Sequence, residues 1–386
     1  MSLLSEASET QALFDRIPVI DLTRATSTTP SDRQALAKEV RSACMTAGFF
    51  YVTNHGIPKP KIDGVFNASK TFFAQEEGRK MEIRNQGRTT SNFKGYVPPL
   101  SSNNDPKNKG DLHEGFCIGY EALPSESTSH SSSKSMPRQE SAPGQESASS
   151  QGEGGEGGEG ATTSSAKTVG DNLWPSGDGM DTFRQDVLGY YHAAVGLGRT
   201  LFPLFAMALG MEEGWFDGKT RNAAAIMRLL HYPSQEVRDE RVMGIGAHTD
   251  WECFTILWQQ PGIQALQVLS PADGKWVDAP AIEGALVINL GDQFMRWTST
   301  FLLAHFEART EDGDLRANVD GIFQSNVHRA INTSGAERYS IPLFFGTDYD
   351  VLLEPIPSCV SGERPAKYEV ITAGEFIQER LRKTYM

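Results

Sequence analysis

The stretch Gly246-Ala247-His248-Thr249-Asp250 lies in a half of the chain that consists of short β-branched and aromatic runs. Turn dipeptides such as Pro-Gly and Asp-Gly separate these runs, a pattern typical of antiparallel strands in a sandwich or small barrel. The predicted strands are residues 226–232, 254–258, 266–269, 276–278, 286–290, 326–331 and 339–345. On an extended segment His248 and Asp250, which are two residues apart, project to the same face.

Two imidazoles and one carboxylate on one face would leave three coordination positions of a metal open, which is diagnostic of non-haem Fe(II) oxygen chemistry. A lone His-x-Asp is weak evidence, because the same residues occur in surface turns. A third ligand can come from a neighbouring strand, and His328 lies in such a run, Asn-Val-His-Arg-Ala. His305 is nearer to Asp250 in sequence and is the alternative, although its surroundings are typical of a helix or an insert at about residues 300–320.

The motif Arg338-Tyr339-Ser340 begins ten residues after His328. On a strand Arg338 and Ser340 face the same way and offer a guanidinium and a hydroxyl to one carboxylate. An arginine that faces into a barrel is costly without an anionic partner, and an ordinary ion pair is the alternative role. Tyr232 either points into the same space or packs in the core.

The rest of the chain predicts helices before and after the strand-rich half, and therefore an α+β fold. The predicted elements are strands at 17–22 and 48–52, a turn at 54–56, and helices at 32–46, 181–210 and 372–385. Pro203 predicts a kink or a break in the long helix.

One segment differs sharply in composition from the rest. Residues 124–166 contain no aromatic residue and no Val, Ile or Leu. Such a sequence cannot bury enough apolar surface to offset the entropy of ordering its backbone. We therefore expect one globular domain with three parts: an N-terminal mixed α/β region at 1–123, a disordered low-complexity insertion at 124–170, and a helix with the strand-rich core at 171–386.

Composition excludes several classes of protein. Asp and Glu total 49 against 36 Lys and Arg, a net charge of −13, which argues against a sequence-independent nucleic-acid binder. No apolar run approaches the roughly 20 residues that cross a membrane, and the start of the chain does not resemble a secretory signal. The cysteines are sparse and have no paired spacing: Cys44, Cys117, Cys253 and Cys359. A soluble protein with reduced thiols in the cytoplasm is expected.

These strings, in this order, resemble the 2-oxoglutarate/Fe(II)-dependent dioxygenase superfamily, specifically the group of isopenicillin N synthase and the plant flavonoid and gibberellin oxygenases. Residues 17–21 (Ile-Pro-Val-Ile-Asp) and 48–57 (Gly-Phe-Phe-Tyr-Val-Thr-Asn-His-Gly-Ile) resemble the N-terminal signatures of that group. Asn-Leu-Gly-Asp at 289–292, followed by Trp297-Thr298, resembles its barrel signature. The resemblance covers nearly the whole chain outside the insertion.

The resemblance implies a double-stranded β-helix (jelly roll) flanked by helices. The implied iron ligands are His248, Asp250 and His328. The implied ligands of the distal carboxylate of 2-oxoglutarate are Arg338, Ser340 and Tyr232. Arg228 is a weaker candidate for the same pocket, and a structural arginine is its equal alternative.

The implied activity oxidises a small organic substrate, by hydroxylation or desaturation, while 2-oxoglutarate and O2 yield succinate and CO2. It requires no obligate protein partner. One alternative is an oxidase that uses the same iron triad without 2-oxoglutarate, and another is ethylene formation from 2-oxoglutarate. A remote alternative is a catalytically silent binding protein.

Substrate identity is the least constrained part of the sequence. Residues 111–116 resemble a segment that lines the substrate mouth in relatives, so Glu114 and Phe116 are candidate substrate-binding residues, together with Trp251. An alternative interpretation has equal support: Glu114 would be a solvated surface charge, and Trp251 would be a packing residue outside the metal ligands. Pyrimidines of the thymine type, alkaloid or polyketide intermediates and amino acids all fit. Four other histidines are expected to be packing or turn residues: His55, His113, His192 and His231.

Overall fold

The protein is described by a computed structural model that covers most of the chain. The described residues are 14, 16–85, 93–101, 110–123, 171–222, 224–234, 244–271, 273–299, 322–332, 334–362 and 365–385. The predicted disordered insertion, the alternative ligand His305 and the insert at 300–320 lie outside the described residues.

Twelve strands in the described part of the chain form two sheets. The strands are β1 (Val19–Asp21), β2 (Phe49–Thr53), β3 (Gly95–Val97), β4 (Glu114–Ile118), β5 (Ala225–Tyr232), β6 (Ile245–His248), β7 (Phe254–Gln259), β8 (Leu266–Leu269), β9 (Trp276–Asp278), β10 (Leu286–Leu290), β11 (His328–Ala330) and β12 (Arg338–Phe345). The larger sheet has the order β1-β2-β10-β7-β12-β5-β4-β3, and the smaller has the order β6-β11-β8-β9. The two sheets confirm the predicted jelly roll.

Helices flank this core. They are α1 (Pro30–Thr46), α2 (Lys59–Phe73), α3 (Glu77–Glu82), α4 (Phe183–Ala208), α5 (Asp292–Thr298) and α6 (Ala373–Tyr385). The predicted helices at 32–46, 181–210 and 372–385 are therefore confirmed within a few residues. The predicted turn at 54–56 is also present, with Asn54 and Gly56 at φ of 51° and 77°.

The long helix α4 does not break at Pro203, so that part of the expectation is wrong. Proline removes one backbone hydrogen bond from a helix. Here the neighbouring residues on both sides of Pro203 are almost wholly buried, and Leu201, Phe202, Leu204 and Phe205 are at most 2% exposed. Burial of this apolar surface offsets the lost bond, because packing rather than local preference supplies most of the stability of a helix.

Register fixes which residues of the larger sheet share a face. Arg338 pairs with Tyr232 and Ser340 with Leu230, so the even-numbered residues of β5 and β12 lie on one face. On the next strand, Glu114 of β4 pairs with His231, an odd-numbered residue of β5. The side chain of Glu114 therefore lies on the opposite face from Arg338 and Tyr232, and the odd-numbered residues of β4 lie on the same face as Arg338. We call the face that carries Arg338 and Tyr232 the inner face and the opposite one the outer face.

The two faces pack against different partners. On the outer face, Trp258 and Tyr339 contact Phe66 of α2, with ring centroids 5.1 and 5.7 Å apart. On the inner face, Phe49 and Tyr51 of β2 join Leu266 and Val268 of the smaller sheet in a second apolar cluster. The space between the sheets is therefore partly filled, and its remaining polar residues define the site. No helix in the described part of the chain has the length and apolar character needed to span a membrane.

Candidate active site

Three predicted ligands converge between the sheets. His248 ends β6 and lies directly opposite His328 of β11 across the strand pair, so the third residue does come from a neighbouring strand. Nε2 of His248 and Nε2 of His328 lie 3.7 and 3.8 Å from Oδ1 of Asp250. One ligand atom from each residue lies within 4.8 Å of the others, as a metal site requires.

Local hydrogen bonds orient both imidazoles. Nδ1 of His248 lies 2.8 Å from the carbonyl oxygen of Gly246, and Nδ1 of His328 lies 3.1 Å from that of Asn326. A carbonyl only accepts, so each Nδ1–H donates and each Nε2 keeps a free lone pair. Phe49 packs edge-on against the His328 ring at 5.2 Å. The side chains are thus held in the tautomer that a metal ion needs.

Asp250 is held by its other oxygen. Its Oδ2 accepts hydrogen bonds from Oγ1 of Thr255 at 2.5 Å and from Nδ2 of Asn289 at 2.6 Å. Both donors lie on the inner face, on the adjacent strands β7 and β10. This leaves Oδ1, which faces the two imidazoles, available for a single metal–oxygen bond.

Burial and charge shift the pKa values of His328 and Asp250. Burial lowers the pKa of His328, and the nearby His248 lowers it further. Burial raises the pKa of Asp250, but His328, His248 and its two hydrogen bonds lower it more, so the net pKa lies below its ordinary value. A neutral imidazole beside an ionised carboxylate is the state in which these groups bind a metal.

Asp292 connects the two segments that carry the triad. Its carboxylate accepts hydrogen bonds from Thr249 at 3.1 Å and from Ser325 at 2.8 Å. Arg380 of α6 lies 2.6 Å from the same carboxylate, which is almost fully buried. The preceding Gly291 is required, since a Cβ there would lie 2.1 Å from the carbonyl oxygen of Glu252.

Arg338 and Ser340 lie on the inner face, as predicted. Arg338 is only 1% exposed, and its Nη2 donates to Oε1 of Gln259 at 3.1 Å. Its Nε and Nη1 are buried and have no hydrogen-bond partner among the described residues. A buried guanidinium with two open donors is costly unless an anion completes it. The carboxylate of a bound ligand would supply that partner.

Tyr232 borders the same guanidinium. Its ring lies 4.7 Å from Cζ of Arg338, in a cation–π contact, and its hydroxyl lies 3.4 Å from Oγ of Ser340. Arg228 also lies on the inner face, where its Nε contacts Sγ of Cys117 at 3.2 Å. The four residues predicted for 2-oxoglutarate therefore share one face.

The expectation for Glu114 requires correction, because its side chain lies on the outer face. Its carboxylate accepts hydrogen bonds from Lys80 at 2.7 Å and from Tyr96 at 2.6 Å, and contacts Nδ1 of His231 at 2.8 Å. All four side chains are buried or nearly so. Glu114 is neither a substrate ligand facing the triad nor a solvated charge, but the centre of a buried polar cluster between the sheet and α3.

Phe116 is corrected for the same reason. It is fully buried on the outer face, where its ring packs against Phe72, Phe183 and Trp174 at centroid distances of 5.0 to 6.0 Å. Trp251 is partly buried against the main hydrophobic core, which favours the packing alternative for it.

Several site residues had no predicted role. Thr255 donates a hydrogen bond to Asp250, and Gln259 accepts one from Arg338. The sequence did contain a sign of these roles, because the two are polar residues an even number of positions apart in an otherwise apolar strand. Asn289 and Asp292 belong to the barrel signature. In the structure Asn289 bonds Asp250 and Asp292 bonds Thr249, so the signature supports the triad. The inward position of His113 had no signal, since polar residues occupy both faces near β4.

The buried cluster around Glu114 predicts a large stability effect. The substitution Glu114→Gln leaves the ammonium of Lys80 without its carboxylate, and breaking a buried ion pair costs roughly 3–5 kcal/mol. Urea unfolding should show a loss of that size in the free energy of unfolding. As a control, Glu39→Gln breaks a pair with Arg24 whose side chains are 48% and 40% exposed, and it should cost far less because water screens the two charges. Equal losses would contradict the assignment.

The same cluster gives the sign of a pH effect. Burial raises the pKa of Glu114, but hydrogen bonds from His231, Lys80 and Tyr96 lower it more, to below its ordinary value of 4.5. Its stabilising contribution is therefore present above pH 4.5 and is lost as the pH falls through the lowered pKa. The difference in stability between wild type and Glu114→Gln should shrink over that acid range.

Comparison with known proteins agrees with this site. Residues 223–347 match the sequence model of the 2OG-Fe(II) oxygenase superfamily, and residues 17–140 match that of the N-terminal part of a non-haem dioxygenase in morphine synthesis. The chain belongs to the 2-oxoglutarate/Fe(II) oxygenase superfamily. It is an oxidoreductase that uses Fe(II), with 2-oxoglutarate and O2 as cosubstrates.

Three fungal relatives illustrate the similarity. The 2-oxoglutarate-Fe(II) type oxidoreductase hxnY of Emericella nidulans is 32% identical over 373 residues, which cover 95% of this chain and 90% of hxnY. The 2-oxoglutarate-dependent dioxygenase tropC of Talaromyces stipitatus is 30% identical over 374 residues, which cover 95% of this chain and 95% of tropC. A full-length Neurospora crassa protein, crystallised in complex with alpha-KG and thymine, superposes with a TM-score of 0.70 at 25% identity, covering 95% of this chain and 96% of that protein.

Proposed function

We propose that His248, Asp250 and His328 hold the catalytic Fe(II), and that Arg338, with Ser340 and Tyr232, binds the distal carboxylate of 2-oxoglutarate. The observation that carries this proposal is the buried guanidinium of Arg338, whose Nε and Nη1 have no partner in the described part of the protein. It lies on the inner face together with the residues that hold Asp250. A dicarboxylate that reaches from a metal to an arginine fits this arrangement.

The side chains in this proposal act by binding and orientation. Bound Fe(II) supplies the activation of O2 that couples decarboxylation of 2-oxoglutarate to oxidation of the substrate. Thr255 and Asn289 bond one oxygen of Asp250 and so keep the other directed at the metal. Tyr232 and Ser340 line the cosubstrate pocket beside Arg338. No side chain needs to serve as a nucleophile. Arg228 takes part in the lining of the same inner face.

The substrate we propose is a small organic molecule that is hydroxylated or desaturated. Pyrimidines of the thymine type are the first candidates, because the Neurospora crassa protein, at 25% identity over nearly the whole chain, was solved with thymine bound. The reaction needs no protein partner. We also propose a cytoplasmic enzyme, in keeping with four buried cysteines that form no disulfide among the described residues, and one globular domain in which residues 124–170 are an insertion.

Succinate release tests the activity directly. Purified protein with Fe(II), ascorbate and 2-oxoglutarate should release succinate in air and not under argon, and a true substrate should raise the rate while mass spectrometry shows a hydroxylated or desaturated product. The oxidase alternative predicts substrate oxidation without succinate, and the ethylene alternative predicts ethylene in the headspace. Absence of all three would contradict an active enzyme.

A further inference from the structure

His113 is a buried histidine on the inner face of the larger sheet. It immediately precedes β4 and has the parity opposite to Glu114, so the two neighbours point to opposite sides of the sheet. Its Nδ1 lies 2.8 Å from the carbonyl oxygen of Gly244, just before β6, and its ring lies 5.8 Å from that of Tyr232. It is therefore fixed between the strand that leads to His248 and the proposed 2-oxoglutarate pocket.

The second ring nitrogen of His113 is an unused acceptor. The side chain is 3% exposed, and Nε2 is buried with no hydrogen-bond partner among the residues that the structure describes. Because the carbonyl of Gly244 can only accept, Nδ1 carries the proton, and the neutral ring presents a lone pair at Nε2. Buried polar atoms without partners are rare in folded proteins, so this nitrogen calls for a partner that the described residues do not supply.

The surroundings keep this ring neutral. Burial lowers the pKa of His113 to about 4, and the positive charge of Arg228 contributes in the same direction. The Nδ1 contact with Gly244 opposes this shift without reversing it. At physiological pH Nε2 therefore accepts a hydrogen bond and does not donate one, which excludes recognition of an anion by this atom.

We propose that Nε2 of His113 binds the substrate by accepting a hydrogen bond from an N–H or O–H group, so that the enzyme selects substrates that carry such a donor. This inference rests on the proposed function, since it places the substrate on the inner face beside the triad. The chemistry fits a ring amide or imide, or an alcohol or phenol. It disfavours molecules whose corresponding position is methylated or is a carboxylate.

Matched pairs of small molecules test this donor requirement. The probes are thymine with 1,3-dimethylthymine, 2-pyridone with N-methyl-2-pyridone, and indole with 1-methylindole, each measured as succinate release above the rate without substrate. In the wild type, at least one unmethylated compound should stimulate release about tenfold more than its methylated partner, because a methylated analogue leaves the buried acceptor unpaired. No discrimination in any pair would overturn the proposal.

Two variants assign the discrimination to His113. His113→Phe removes the acceptor and should abolish the difference within the pair, whereas His113→Gln, which keeps an acceptor oxygen, should restore part of it. His192→Phe, on the partly exposed side of α4, is the matched control and should retain the full difference. Discrimination that persists in His113→Phe would overturn the proposal. Succinate release without substrate, measured in the wild type and in His192→Phe, separates this result from failure of the iron or 2-oxoglutarate assignments, because that failure would remove the substrate-free release in both proteins.

Discussion

The His328→Ala variant should bind Fe(II) at least about a hundredfold more weakly than the wild type, because even residues that only support metal ligands change affinity about 10- to 100-fold. The two remaining ligands, His248 and Asp250, would hold the ion through one imidazole and one carboxylate oxygen. Titration of the metal-free protein with Fe(II) under argon, followed by calorimetry, measures this directly. Succinate release should fall below detection in the same variant.

Two control variants give this experiment its resolving power. His305→Ala removes the histidine that is the alternative third ligand in the sequence, and His192→Ala removes one on the partly exposed side of α4. Both should retain wild-type affinity for Fe(II). If His305→Ala loses the metal and His328→Ala keeps it, the assignment of the third ligand is wrong.

Arg338→Met should raise the concentration of 2-oxoglutarate needed for half-maximal succinate release by at least about 30-fold, since loss of one partner of a buried charge pair costs about 2–5 kcal/mol. The affinity for iron should not change, because Arg338 contacts Gln259 and Tyr232 and makes no hydrogen bond to the triad among the described residues. The matched control is Arg329→Met on β11, whose guanidinium stacks on Trp276 and bonds Gln267. This control should leave the 2-oxoglutarate requirement unaltered.

The ligand-free protein provides a second measurement on Arg338. Two of its buried nitrogens lack partners among the described residues. Replacing this guanidinium by an apolar side chain of similar length should leave the melting temperature of the ligand-free protein unchanged or higher. Addition of 2-oxoglutarate should then raise the melting temperature of the wild type and not that of the variant. A variant that melts much lower without ligand would indicate a structural role instead.

The strand-rich half was readable from sequence because its strands are short, β-branched and separated by turn residues. The observed β8, β9 and β10 have the predicted bounds, and β7 differs by one residue. Of the two expected effects of Pro203, a kink or a break, the break was wrong because the effect of proline is local, whereas α4 is held by apolar side chains along its whole length. The local effect of proline can be read from the sequence, whereas the packing that offsets it depends on the assembled fold.

His248 and Asp250 were predictable because the chemistry constrains both residue type and spacing, and the two residues are two positions apart. The choice of His328 over His305 came from the resemblance to the superfamily, and the register that brings His328 opposite His248 is visible only in the structure. The supporting contacts of Asp292 were not predictable, since they join residues 43 and 33 positions away in sequence. Such contacts depend on the assembled fold.

The expectation that Glu114 and Phe116 bind substrate was wrong because the sequence did not show which face of β4 each side chain lies on. In the segment 111–118 polar residues occur on both faces of the strand. Asp111 and His113 lie on the inner face, and Glu114 lies in the buried polar cluster on the outer face. Alternation of polar and apolar residues identifies the buried face of a strand only when the other face meets water. Here both faces are covered, so the pattern of residues gives no preference and only the register of β4 on β5 decides.

The contact of Arg380 with Asp292 links the last described helix to the residues around the triad. Thermodynamic linkage is reciprocal, so whatever the docking of α6 adds to the affinity for iron, bound iron adds equally to the docking of α6. The metal-loaded enzyme should consequently protect its C-terminal helix from proteases better than the metal-free enzyme does.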